Sequence, residues 1–290
     1  MPTKTKSAPQ VYRSQPSQVG DGFTIRRPLP NRGLKQLSPF LLLDHAGPTE
    51  VPPSERQRGV DEHPHRGFET VTIVYSGSVE HRDSAGHAGR VGPGDVQWMT
   101  AGAGVVHEEK HGREFSRQGG TLEMIQLWVN LPKAHKMTRP RYQEITADRI
   151  PEINTPGSLV RVIAGEYQEQ AGPAQTFTPL TMLDIRLDAG TRLEVPLVEG
   201  NNTGIYVLRG GLRMNDTAVN EAELAVLEEP GQTIHLEAAT ESTLLLLSGE
   251  PIHEPVASYG PFVMNNSPEL VQAVQDYEQG KMGTLAATVL

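Results

Sequence analysis

The chain has no cysteine. Disulfides and thiolate metal sites are therefore excluded, and any metal must be held by histidine and carboxylate. The absence also fits a reducing compartment. No apolar run is long enough to span a membrane as a helix. The stretch Met1–Gln10 is polar, contains lysine and proline, and reads as neither a signal peptide nor an anchor. These features predict a cytoplasmic protein. Long basic runs are missing as well, and the formal net charge is −9, which argues against direct binding to nucleic acid. Helix signals are scarce. Turn residues are abundant: 29 glycines and 23 prolines favour many turns and short strands over long helices.

With 290 residues, of which 37% are apolar and 21% charged, the chain suits one large or two medium globular domains. Short β-like runs recur with turn signals between them, among them Thr70–Tyr75, Val96–Met99, Val105–Glu109 and Leu122–Leu131. The pattern pauses at the Pro- and charge-rich connection Lys133–Arg141 and then resumes, for example at Leu180–Leu187 and Thr243–Leu247. Such spacing predicts an all-β fold of antiparallel sandwich or barrel type. A boundary is expected near residue 135, giving domains 1–135 and 136–290. A faint repeat supports two similar halves: Thr72–Val79 resembles Ile205–Leu212, each a β-rich run, a Gly turn and another strand. One short helix is predicted near the end. Ser267 would cap it, Pro268 and Glu269 would open it, Leu270, Val271, Val274 and Tyr277 would form its packing face, and Gly280 would stop it.

The chemistry concentrates at His63-Pro64-His65 and at His107-Glu108-Glu109. Side chains alternate along a strand, so His63 and His65 share one face, as do His107 and Glu109. Two such strands side by side would aim three imidazoles and a carboxylate at one spot. That set suits a divalent transition metal with positions left open for chemistry. A lone H-x-H is more often an ordinary pair of histidines; two such pairs with a Gly-rich turn before the second are much more specific.

The stretches His63-Pro-His-Arg-Gly-Phe-Glu-Thr-Val71 and Gly94-Asp-Val-Gln-Trp-Met-Thr-Ala-Gly102, with His107 after them, resemble the pirin family of the cupin superfamily. Leu127-Trp-Val-Asn-Leu131 and Gly260-Pro-Phe-Val-Met-Asn265 extend the resemblance over nearly the whole chain. It implies a bicupin: two antiparallel, jelly-roll-like β-barrels, with one metal in the first, a second barrel without metal, and the terminal helix after it. By position the implied ligands are His63, His65, His107 and Glu109. The general cupin pattern instead places the acidic ligand four residues after H-x-H, at Glu69. Regular alternation would put Glu69 on the face of His65, so spacing leaves it open, and the resemblance favours Glu109. In the second half, the equivalent positions fall on Pro196 and Val198, which cannot bind metal.

The same resemblance implies a quercetin 2,3-dioxygenase activity, in which the central ring of a flavonol is opened with release of carbon monoxide. Iron(II) is the implied ion; zinc, manganese, cobalt, nickel and copper suit the ligands too. Glu109 would be ligand and general base. The expected partners are a small polyphenol and dioxygen, with neither nucleic acid nor membrane. The second implied class is a metal-containing regulatory protein that binds a transcription factor or a metabolic enzyme. Of the remaining residues, His81 fits the family pattern and could hydrogen-bond near the site, Trp98 and Met99 are expected in the core, and His87, His111 and His135 at the surface. Asp44 and His45 are expected in a turn, and Val51–Arg58 in a polar loop.

Overall fold

The computed structural model describes residues 4–6 and 9–285. Residues 1–3 and 7–8 of the polar opening stretch lie outside the described residues. The fold is two antiparallel β-barrels built to one plan, each a seven-stranded sheet with a four-stranded sheet.

In the first barrel the seven-stranded sheet runs in the order Arg141–Ile145, Val96–Thr100, Phe68–Ser76, Gly120–Asn130, Phe40–Val51, Phe23–Leu29, Gln15–Val19. The four-stranded sheet runs Gly59–His65, Val105–His111, Val79–Asp83, Ala88–Val91. Phe23, Ile25, Val74 and Met124 of the larger sheet pack with Val79 and Val91 of the smaller. Alternating apolar positions on each strand supply this core.

In the second barrel the strands Asn202–Arg209 and Gly211–Met214 repeat the arrangement of Phe68–Ser76 and Val79–Asp83. Gly77 and Gly210 make the two turns, at φ +79° and +82°. A Cβ on Gly210 would lie 2.2 Å from the carbonyl oxygen of Glu241, so only glycine fits there. Its hydrophobic core is built from Val195, Ile205, Val207, Ile234, Leu236 and Leu246 among others.

The expected ligand-equivalent positions need correction. Pro196 and Val198 are exposed, and Val195 is the inward residue, opposite Ile234. One residue of slip inverts every face of a strand. Val195, Ile234 and Leu236 are the buried residues there.

The chain does not divide into consecutive blocks. One compact unit comprises Met1–Gln15, Arg27–Leu41 and Asp148–Ile252, and the other Pro16–Arg26, Leu42–Ala147 and His253–Leu290. The expected cut near residue 135 thus differs from the packing, because the second barrel takes a strand from the start of the chain and the first barrel's unit includes the near-terminal segment. Gln10–Arg13 pairs with Glu223–Leu227 of the second barrel.

The terminal helix, Ser267–Glu278, belongs to the first barrel's unit. Its cap is Asn266 rather than Ser267: the Asn266 side chain accepts from the Glu269 backbone N–H at 3.0 Å. Leu270, Ala273 and Val274 pack on Val106, Phe262 and Met282. Val271 and Tyr277, expected in that face, are exposed. Arg66 pairs with Asp276 of the helix at 2.9 Å. A second short helix, Arg113–Gln118, was not expected from sequence. No helix among the described residues is long and apolar enough to cross a membrane.

Candidate metal centre

His63 and His65 close the strand Gly59–His65, and His107 lies on its neighbour Val105–His111, directly opposite His63. A bulge between Val60 and His63 absorbs one extra residue. Bulges of this kind re-aim side chains beside functional sites. The Nε2 atom of His63 lies 2.8 Å from Nε2 of His107 and 3.1 Å from Nε2 of His65. Ligand atoms of all three fall within 4.8 Å of one another, and among the described residues no carboxylate joins that cluster.

The tautomers follow from the partners, because a carbonyl only accepts. His63 donates from Nδ1 to the Asp61 carbonyl at 2.8 Å, and His65 from Nδ1 to the Pro261 carbonyl at 3.3 Å. A neutral ring at either position therefore carries its lone pair at Nε2. Burial, then the neighbouring histidines, pushes the pKa values of His65 and His107 well below the usual imidazole value. The Nε2 lone pairs of His63 and His65, 3.1 Å apart, repel one another unless a cation lies between them. The donor set thus fits a divalent transition metal.

Glu109 lies two residues after His107, opposite His81 of Val79–Asp83. Its carboxylate accepts from Thr72 Oγ1 at 3.2 Å and from Gln126 Nε2 at 2.7 Å. Glu108 turns the other way and accepts from Arg82 Nε at 2.6 Å. Beside Glu109 is a cavity of about 20 Å³, lined by Phe23, Ile25, Ala46, Met124 and Gln126 among others. That is room for one water molecule.

Glu69 does not share the face of His65. Arg66 and Gly67 intervene, and Gly67 at φ +88° breaks the alternation on which that expectation rested. Register pairs Glu69 with Thr100 and Val129, whereas Thr72 pairs with Gln126 on the face toward Glu109. Thr100 Oγ1 donates to Glu69 at 2.7 Å. Burial raises the Glu69 pKa to about 7, with that hydrogen bond opposing the shift.

Other side chains around the site were less legible. His81 is buried and lies 3.4 Å from His107 through their Nδ1 atoms. His111, expected at the surface, is buried edge-on to Phe23. The strand expected to end before Asp44 continues to Val51, and His45 within it bonds Glu123 at 3.1 Å, both fully buried. Two polar side chains of the larger sheet are also buried: Gln97, whose register partner is Thr72, and Thr70, whose partner is Trp128. Neither the Gln97 amide nor the Thr70 hydroxyl has a partner among the described residues. Only three-dimensional register could have singled these residues out.

Known proteins resemble the chain along most of its length. The pirin family model matches residues 22–129, and that of the pirin C-terminal cupin domain matches residues 182–283. A Pseudomonas aeruginosa protein provisionally named a quercetin 2,3-dioxygenase is 52% identical, over 91% of this chain and 93% of its own length. Human pirin is 39% identical, over 93% of this chain and 91% of its own. The crystal structure of a quercetin 2,3-dioxygenase from Acinetobacter baumannii is 46% identical and superposes with a TM-score of 0.93, covering 97% of this chain and 100% of that one. With both family domains present in order and two curated relatives matched nearly end to end, the chain belongs to the pirin family.

Proposed function

We propose that this protein is a metal-dependent dioxygenase that opens flavonols such as quercetin. The observation that carries the reading is the convergence of the Nε2 atoms of His63, His65 and His107 inside the first barrel. Glu109 is the fourth ligand of the proposal, on the same strand as His107 and held by Thr72 and Gln126. Iron(II) is the proposed ion. Two neighbouring facts support the choice of reaction: the 52% identity to one relative named for it and the 46% identity to a solved structure named for it.

A bound divalent ion supplies Lewis acidity at the site, and iron(II) supplies access to dioxygen chemistry. The chain's own residues do the rest. Glu109 takes the proton of the flavonol 3-hydroxyl as general base. Thr72 and Gln126 hold its carboxylate in one orientation while it does so. Phe23, Ile25, Ala46 and Met124 keep the surroundings apolar, which strengthens every electrostatic contact within. The unpartnered Gln97 amide and Thr70 hydroxyl are available to the oxygen substituents of a polyphenol.

One observation favours a second reading, a metal-containing regulator of a transcription factor or metabolic enzyme. The cavity beside Glu109 has room for one water and is far smaller than a flavonol, so catalysis requires side chains to move aside. Metal analysis combined with aerobic loss of quercetin absorbance separates the two. The enzyme reading predicts turnover in metal-loaded wild type and none in His107→Ala; bound metal without turnover favours the regulator.

A further inference from the structure

The three imidazoles are not oriented in the same way. His63 and His65 each donate from Nδ1 to a backbone carbonyl, which can only accept and so leaves Nε2 free for a ligand. His107 faces another histidine at that position: its Nδ1 lies 3.4 Å from Nδ1 of His81. Two imidazole nitrogens can share one hydrogen in either direction, so this contact by itself does not settle which nitrogen of His107 carries the proton.

We propose that His81 and Asp83 are positioning residues that commit His107 to presenting Nε2 to the metal. The inference rests on the metal reading of the histidine cluster, but not on any substrate.

Direction enters the chain from Asp83. A carboxylate accepts and does not donate. Its Oδ1 is engaged by the backbone N–H groups of Ala85 at 2.9 Å and His87 at 3.0 Å. Its Oδ2 faces His81 Nε2 at 3.4 Å, and His87 Nδ1 at 3.0 Å. His81 must then carry its hydrogen on Nε2. In the neutral ring Nδ1 is then left with a lone pair, which accepts from Nδ1–H of His107. His107 consequently bears its lone pair at Nε2, the atom that faces Nε2 of His63.

The reverse polarity would put hydrogen on Nε2 of His107, where it blocks ligation. Strand register builds the chain, since Asp83 lies opposite His107 and His81 opposite Glu109. Tyr142 stacks flat on His81, ring centroids 5.2 Å apart at 10°, so the imidazole cannot turn freely.

Asp83→Asn is the sharpest test, because it changes polarity with little change of shape. With Oδ1 held by two backbone N–H groups, the new NH2 would occupy the place of Oδ2. It would donate to His81 Nε2, move the His81 hydrogen to Nδ1 and reverse the chain. His81→Phe keeps the stack on Tyr142 but removes the acceptor, and His81→Asn restores an acceptor in a smaller side chain.

Zinc affinity would be measured by chelator competition, and the His107 tautomer by nitrogen-15 NMR of the zinc-loaded protein. We expect Asp83→Asn and His81→Phe to weaken zinc by about 10- to 100-fold, the range for a lost partner behind a ligating histidine. We expect His81→Asn to recover most of the loss. A merely structural role would lower thermal stability in all three while leaving affinity and tautomer unchanged. Wild-type affinity in both Asp83→Asn and His81→Phe overturns the proposal. Wild-type protein that binds no divalent metal overturns the metal reading and this inference with it.

Discussion

Nδ1 of His65 donates to the carbonyl oxygen of Pro261, 196 residues further along the chain. The near-terminal segment is therefore part of the histidine site. Two further contacts hold it there. The Val263 backbone N–H donates to the Arg66 carbonyl at 3.0 Å. The buried Lys136 ammonium donates to the carbonyls of Gly67 and Val263 and to Asn130 Oδ1, at 2.7–3.0 Å.

Gly67→Ala should disturb this junction. Gly67 has φ +88°, and a Cβ there would lie 1.9 Å from the Val263 carbonyl oxygen. Backbone strain alone costs about 1–3 kcal/mol, and the clash adds to it. We expect a lower denaturant midpoint together with weaker metal binding. Weaker stability with unchanged metal affinity would show that the Pro261 contact does not support His65.

Glu109→Gln should reduce metal occupancy at least about tenfold, because it keeps the shape and removes the charge that offsets the ion. Glu108→Gln should leave occupancy intact and lose only a partly exposed pair with Arg82, worth about 0–1 kcal/mol. Freshly purified wild type should hold one metal per chain by elemental analysis. Equal occupancy in the two variants, or loss in Glu69→Gln instead, would refute the fourth ligand.

Glu69 makes stability depend on pH. Its folded pKa of about 7 lies above the ordinary value of 4.5. Between those values the unfolded chain has lost a proton that the folded chain retains, so stability falls as pH rises through that window and levels above about pH 7. Glu69→Gln retains an acceptor for Thr100 and removes the ionisation. It should stabilise the protein at pH 8 by up to about 3 kcal/mol relative to wild type at the same pH, and far less at pH 4.5. Urea unfolding at both values checks this; an equal effect at the two contradicts it.

Gln97→Met should weaken quercetin binding about 5- to 20-fold, the cost of one or two hydrogen bonds to a buried polar ligand. Metal content should not change, since the Gln97 amide makes no hydrogen bond to any of the histidines. Anaerobic titration of metal-loaded protein measures the binding alone. Unchanged affinity would mean that the orphaned amide serves buried water rather than substrate.

Much of this fold is readable from local pattern. Alternation in Thr70–Tyr75 and Leu122–Leu131, with Gly77 and Gly210 as turns, indicates strands and two similar barrels without any knowledge of pairing. His63, His65 and His107 are visible because their spacing is itself the signal. What lies beyond local pattern is whatever depends on register or on distant chain. Gly67 resets the alternation after His65, which moves Glu69 to the other face. A slip of one residue substitutes Val195 for Pro196. The Asp83–His81–His107 chain, the Pro261 carbonyl and the His45–Glu123 pair need three-dimensional neighbours that no spacing rule supplies. The interleaving of the two units has the same origin, because an isolated β-run such as Gln10–Arg13 carries no mark of the sheet it will join.

The most direct test of the account is the gas balance of protein loaded anaerobically with iron(II) and then mixed with quercetin and oxygen. The account predicts one carbon monoxide released for each dioxygen consumed, at a rate well above free iron(II), and no release above that background from His63→Ala. Wild-type release no faster than the metal-only and His63→Ala controls, with iron, nickel, manganese, cobalt and copper each tried, would contradict it.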